Sequence, residues 1–204
     1  MTDDPTRIKP DDANSPLWQP EFSEGVRRAL AKWPDVPACF GWLSLDARGR
    51  WRIDGGLISH PGAVAFLAAH YACDEHGRWY VQNGPQRAFV ALDLAPWVLR
   101  VGADGALSTH TGRQLDRYED IHVTPDGEIL LTTPLGLAAI DDRDLAAFAA
   151  TLEAPGSDAL GVLSAAAAGR PGVLSDAGGV AHRVAGSRLD DLAARHGCVR
   201  RPAP

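Results

Sequence analysis

The stretch Asp46-Ala-Arg-Gly49-Arg50-Trp51-Arg52-Ile53 returns further along as Asp74-Glu-His-Gly77-Arg78-Trp79-Tyr80-Val81, and both copies read D-x-x-G-R-W-x-I/V. An aspartate can bond the backbone of its own turn, and a glycine three residues on can take positive φ. An aromatic and a β-branched residue then start a strand. Each copy therefore predicts a β-hairpin tip and the strand that leaves it. Ala103-Asp104-Gly105, Pro125-Asp126-Gly127 and Asp176-Ala-Gly178-Gly179 carry the same turn chemistry, at spacings too irregular for a solenoid. The chain accordingly predicts an α+β fold, mainly antiparallel β, with helices packed on one side.

Working outward, Phe22, Val26, Leu30 and Trp33 recur at helical spacing between Ser23, a candidate cap, and Pro34, a stop. Ser59-His60-Pro61-Gly62 caps and opens a second helix running to about Cys73. Strands are expected over 78–82, 87–92, 97–102, 106–110, 119–123, 128–132 and 136–140. Asp141, Asp142 and Asp144 sit at the positive end of a helix from Asp142 to about Glu153. After a break at Pro155-Gly156-Ser157, a hairpin over 172–184 precedes a helix from Ser187, where Ser187 and Asp190 read as a capping box. Val199–Pro204 reads as a frayed tail.

The order of these signals resembles an uncharacterised family of bacterial proteins, domain of unknown function 1285. The residues that carry the resemblance are Gly49-Arg-Trp51, Gly56-Leu-Ile58 leading into a helix with Leu67 and Ala68, and Asp74–Gly77 before Trp79-Tyr80-Val81. Ala95-Pro96-Trp97-Val98, Thr109-His110-Thr111-Gly112 and Leu135–Ile140 follow. It spans about residues 40–184. This chain departs from the family near Gln86, where an acidic residue is absent, and beside Ala95-Pro96, where only Asp93 remains of an acidic pair. Residues 1–20, with four prolines among Asp and Asn, read as a flexible arm, and residues 155–204, after the Pro155-Gly156-Ser157 break, as a C-terminal extension. The resemblance implies an α/β-roll subdomain with two helices (21–95) followed by a β-roll subdomain with a closing helix (96–154). It imports no activity.

Composition removes several function classes. The 204 residues are 45% apolar, enough for a core without metals or disulfides. The net charge is −6 and the arginines are scattered among acids, so nucleic acid is not an expected partner. The three cysteines, Cys39, Cys73 and Cys198, lack CxxC spacing and fit a reducing, cytoplasmic compartment. The acidic, Pro-broken N-terminus does not read as a signal peptide, and no apolar run is long enough for a membrane span. Walker-A, GxSxG, HExxH, GxGxxG and EF-hand patterns are all missing.

His70-x-x-Cys73-x-x-His76 has metal-ligand residue types, but the sequence offers no fourth ligand nearby, and the expectation is no metal and no cofactor. Cys198 lies among Arg195, His196, Arg200 and Arg201, a setting that can lower a thiol pKa, but a tail thiol without an ordered oxyanion site is more often incidental. His110 and His122 could meet across a hairpin sheet. The strand-borne aromatics and guanidiniums, Arg50, Trp51, Arg78, Trp79, Tyr80, Arg87 and Trp97, together with His110, are the candidate ligand-binding set. Against this stands the bland reading, tryptophans as core between sheet and helices. The leading expectation is a binding or regulatory module for a small molecule or protein segment. The alternatives are a hydrolase-like enzyme built on a strand histidine and a self-associating structural protein, for which a homodimer is one form.

Overall fold

The computed structural model describes residues 20–154 and 156–204; the expected arm over 1–20 lies, but for Pro20, outside them. The described chain divides into two compact units. One ends at Pro96 and takes back Gly197–Pro204; the other is Trp97–His196.

The first unit holds α1 (Glu24–Lys32), β1 (Cys39–Leu45), β2 (Trp51–Ile53), β3 (Gly56–Leu57), α2 (Pro61–Ala69), β4 (Tyr71–Cys73), β5 (Trp79–Asn83) and β6 (Gln86–Leu92). Its sheet runs β3-β2-β1-β6-β5-β4. It is two three-stranded meanders, joined by α2, whose β1 and β6 pair in parallel at the centre. Each meander has the D-x-x-G turn between its first and second strands and a two-residue loop between its second and third.

Those D-x-x-G turns are built alike. The N–H of Asp46 donates to Arg50 O and that of Gly49 to Asp46 O; the N–H of Asp74 donates to Arg78 O and that of Gly77 to Asp74 O. Gly49 and Gly77 sit at φ of 72° and 74°, the left-handed position the turn demands. Asp46 Oδ1 accepts from the N–H groups of Arg48 and Arg50 at 3.0 and 2.9 Å, and its Oδ2 from Nε of Arg50 and Arg52 at 2.8 and 3.1 Å. Asp74 Oδ1 accepts from His76 and Arg78 N–H at 3.1 and 2.9 Å, and its Oδ2 from Arg78 Nε at 2.8 Å. Burial pushes both carboxyls up, and these hydrogen bonds overcome it, so both end below the ordinary carboxylate range.

The second unit holds β7 (Trp97–Val101), β8 (Leu107–Thr109), β9 (Gln114–Leu115), β10 (Ile121–Val123), β11 (Ile129–Thr133), β12 (Gly136–Ile140), α3 (Leu145–Ala150), β13 (Leu152–Glu153), α4 (Ala159–Ala167), β14 (Gly172–Asp176), β15 (Ala181–Gly186) and α5 (Leu189–Arg195). The sheet order is β13-β14-β15-β10-β11-β12-β7-β8-β9, three more three-stranded meanders. Within each unit one rule holds: the first strand of a meander pairs in parallel with the last strand of the next, as β1 with β6, β7 with β12 and β10 with β15. All other named strand pairs are antiparallel, so the fold is α+β.

Several local expectations are corrected. Tyr71–Cys73 is strand and not the end of the second helix, because it pairs with Trp79–Val81 and buries all three side chains. The expected helix over 142–153 is a 3-10 turn, Asp142–Asp144, then the short α3 and then β13, which pairs with β14. Residues 155–204 are not a separate extension: β14 and β15 join the second unit's sheet and the last eight residues return to the first unit. Ser187 caps nothing; Arg188 stands at the N-cap of α5, and the Ser187 hydroxyl turns to His122 and Arg195. The helix α4, capped by Asp158 Oδ1 on Gly161 N–H, was not foreseen, since its Ala-rich sequence has little amphipathic pattern.

Nor is the tail frayed. Val199 N–H donates to Gly77 O, Arg200 O accepts from Leu92 N–H, and Arg201 reaches Asp93 at 3.4 Å. The approach is so close that a Cβ on Gly77 would stand 1.6 Å from Gly197 O. Gly77→Ala is expected to release the tail and exchange the Leu92 and Val199 amides quickly. Gly127→Ala, also at positive φ but with nothing within 4 Å of the added atom, should cost only its backbone strain, about 1 kcal/mol. Denaturant melts and amide exchange on both variants check this difference.

Candidate functional site

Period-two alternation sorts the first unit's side chains onto two sheet faces. One face carries Leu43, Leu45, Trp51, Tyr71, Cys73, Trp79, Val81, Val90 and Leu92, all buried, with the Tyr71 ring 5.2 Å from Trp51 and 4.7 Å from Trp79. The other carries Arg78 and Tyr80 on β5 or its approach, and Arg87 and Phe89 on β6. Tyr80 stands directly opposite Phe89. Two diagonal cation–π contacts cross this pair: the Arg78 guanidinium lies 4.7 Å from the Phe89 ring centre, and that of Arg87 lies 4.8 Å from Tyr80. Phe40 stacks on Phe89 at 4.6 Å with planes 5° apart.

Beside these rings is a groove of about 350 Å³, lined by Leu30, Val36, Phe40, Arg78, Arg87 and Phe89, with two prolines and Ala38 completing it. Its side chains are apolar except for the two arginines, and none is acidic. Arg78 is tied to Asp74, its NH2 2.8 Å from Oδ2. Arg87 is exposed, and among the described residues no carboxylate pairs with it.

The candidate ligand-binding set is therefore divided. Arg78 and Arg87 line the groove and Tyr80 supports Arg87 from beneath. Trp51, Trp79 and Trp97 are interior residues, 1%, 5% and 1% exposed, so the core reading of the tryptophans holds and all three leave the candidate binding set: alternation turns them inward. Arg50 is taken up by Asp46. Trp97 donates from Nε1 to Leu135 O, and it and His110 belong to the second unit. Sequence reading missed Leu30, Val36, Phe40 and Phe89; the two phenylalanines were signalled only by sharing alternation parity with Tyr80 once the pairing is known.

The reactive candidates are not brought together. His110 and His122 are not a pair, since β11, β12 and β7 lie between β10 and β8, a separation of roughly 19 Å at sheet spacing. Burial pushes His110 down to about 3, and its Nδ1 accepts from Val98 N–H. His122 lies 3.3 Å from Ser187 Oγ and 3.1 Å from Thr132 Oγ1, and Thr132 Oγ1 lies 3.3 Å from His196 Nε2. Burial first, then Arg195, lowers His122 to about 4, too weak a base to activate Ser187 near neutrality. His70 spends both ring nitrogens, on Phe66 O and Ser23 Oγ, while His76 is exposed beside Glu75. No three potential ligands cluster for a metal among the described residues. Burial raises Cys73 and Cys198 to about 12, in keeping with the incidental reading of Cys198; Arg200 offsets only part of it. The exposed apolar side chains Ile53, Leu57 and Phe66 lie on the β2–β3 hairpin and α2. No described helix is long and apolar enough to cross a membrane.

Comparison with known proteins gives the family. The family model DUF2944, described as "Protein of unknown function (DUF2946)", matches residues 22–203. The chain belongs to this family. In fold it is similar to a crystal structure of a DUF1285 family protein from Silicibacter pomeroyi DSS-3, with TM-score 0.50 and 16% identity over 84% of this chain and 92% of that one. A second DUF1285 family protein, from Shewanella baltica OS155, matches with TM-score 0.37 and 17% identity over 52% and 88%. The resemblance read from residues 40–184 thus reappears among solved structures. No curated protein matches.

The depressed histidines have a consequence for stability. His110 and His122 are lowered on folding to about 3 and 4, so between those values and the unfolded pKa near 6.5 the unfolded chain binds more protons. Their contribution is fully present above about pH 6.5 and is lost as pH falls toward 4 and below. Chemical denaturation from pH 7 to 4 should show stability falling, with a shallower fall in His122→Gln.

Proposed function

We propose that the chain is a binding module, not an enzyme, and that its site is the groove of the first unit, which holds a small ligand with an apolar body. The observation that carries this reading is the groove itself: about 350 Å³, walled by Leu30, Val36 and Phe40 and edged by two guanidiniums held over aromatic rings. That volume and mixture, mostly apolar with a few placed polar groups, is what small-molecule sites use. The hydrolase alternative is not favoured, because the second ring nitrogen of His122 meets the Thr132 hydroxyl in place of an orienting carboxylate, and His110 lies in another part of the sheet. The three free cysteines are consistent with a reducing cytoplasmic setting.

A thermal-shift screen of small aromatic and aliphatic compounds on the full chain tests the site. A ligand at tenfold its Kd should raise Tm by about 3–6 °C. Ala38→Trp, which fills the groove from an exposed position, should abolish that rise without lowering the Tm of the free protein. Stabilising ligands that ignore Ala38→Trp, or a screen with no stabilising compound, would overturn the reading.

A further inference from the structure

Charge and hydration narrow what the groove can hold. Its lining has two cations and no acid. Arg78 is neutralised by Asp74, with both Nε and NH2 2.8 Å from one carboxylate oxygen, and that carboxylate is also fixed by two backbone N–H groups. Arg87 keeps its charge unmatched among the described residues. Its guanidinium lies over the Tyr80 ring, 4.8 Å from the centre, a cation–π contact that holds the charge at the groove without using its N–H donors. In a chain of net charge −6, one positive charge beside an apolar, acid-free groove selects for an anion.

The rest of the lining says which anion. A phosphate dianion needs several donors to replace its water, from backbone N–H groups, hydroxyls or more than one free cation. The groove offers no hydroxyl side chain and one uncommitted guanidinium. A carboxylate carries a single charge, matches the guanidinium fork with two parallel hydrogen bonds, and brings an apolar body as its substituent. Phe40, backed by the buried Phe89 ring on which it stacks with planes 5° apart, and the aliphatic Leu30 and Val36 give that body a surface it prefers to water.

Resting on the groove as the binding site, we propose that its ligand is a small organic monocarboxylate, anchored by the Arg87 guanidinium with its hydrocarbon part against Phe40, Val36 and Leu30. Arg78 acts through position: pinned by Asp74, it covers Phe89 and bounds the groove. Arg87 is then the residue that decides specificity for the acid over its neutral analogue.

The test is isothermal titration of the full chain with 4-phenylbutyrate, its primary amide and inorganic phosphate, on the native protein and on Arg87→Gln, Arg87→Lys and Ala38→Trp. The native protein should bind the acid about tenfold or more tightly than the amide, the size expected of a charge-assisted hydrogen-bonded pair. Arg87→Gln should reduce that preference to within about threefold by weakening the acid far more than the amide, and Arg87→Lys should fall between. Because Arg87 is exposed, circular dichroism should show all variants folded. An N-acetyl dipeptide ending in phenylalanine separates a free acid from a chain terminus: binding tenfold tighter than 4-phenylbutyrate would make the occupant a peptide C-terminus and overturn the small-acid assignment. Equal binding of acid and amide, both lost in Ala38→Trp, would overturn the anion anchor and leave the groove standing. A preference that survives Arg87→Gln, or phosphate binding tighter than the acid, would overturn the role given to Arg87. No binding by acid or amide would remove the groove reading as well.

Discussion

Everything in the first unit depends on two nearly buried carboxylates, those of Asp46 and Asp74, each closing a four-residue turn. Burying a carboxylate is costly unless its oxygens are satisfied. Here each is met by two backbone N–H groups of its own turn and by guanidinium groups from the strand that follows. The turn cannot slip by a residue without stranding that charge. Register is therefore fixed at the tip of both hairpins, and register decides which side chain enters the core.

From that constraint the groove follows. With Asp74 holding Arg78, Trp79 must face the interior and Tyr80 the opposite side, across from Phe89. The crossed pairs Arg78 on Phe89 and Arg87 on Tyr80 are a product of this single register. The same interaction that makes Arg78 structural leaves Arg87 as the groove's uncommitted cation. In the second unit Asp176 repeats the device, accepting from Gly178 and Val180 N–H at 2.9 Å, and it also meets His182. Gly102, Thr109 and Thr124 head turns with the same backbone bonds. The repeating element is thus a backbone geometry, and aspartate is one of several residues that can begin it.

The repetition also explains how far sequence reading could go. The D-x-x-G-R-W echo was legible because its chemistry is local: donor, acceptor and glycine lie within five residues. Gly102–Gly105 and Thr124–Gly127 were marked only by an internal Asp-Gly, and Thr109–Gly112, with no aspartate, shares the backbone pattern without the chemistry that marks it as a tip. The helix read through Cys73 failed for the complementary reason. Tyr71-Ala72-Cys73 has no local preference strong enough to resist its helix, and its strand state comes from pairing with Trp79–Val81. Of the candidate site, Arg78, Arg87 and Tyr80 were visible as residue types, whereas the tryptophans beside them drew attention to the wrong face.

By itself the sequence determined the α+β class, the positions of the aspartate-marked hairpin tips, a helix cap at Ser59 or His60, and the lack of any familiar catalytic pattern. All of these rest on interactions a few residues long. Tertiary structure alone decided that β1 pairs with β6, β7 with β12 and β10 with β15, and that the last eight residues return to lie against Gly77. It alone decided that Phe40 meets Phe89 beside an unmatched Arg87. Parallel pairing and groove walls join residues separated by whole meanders, and nothing in the local chemistry of either partner specifies the other.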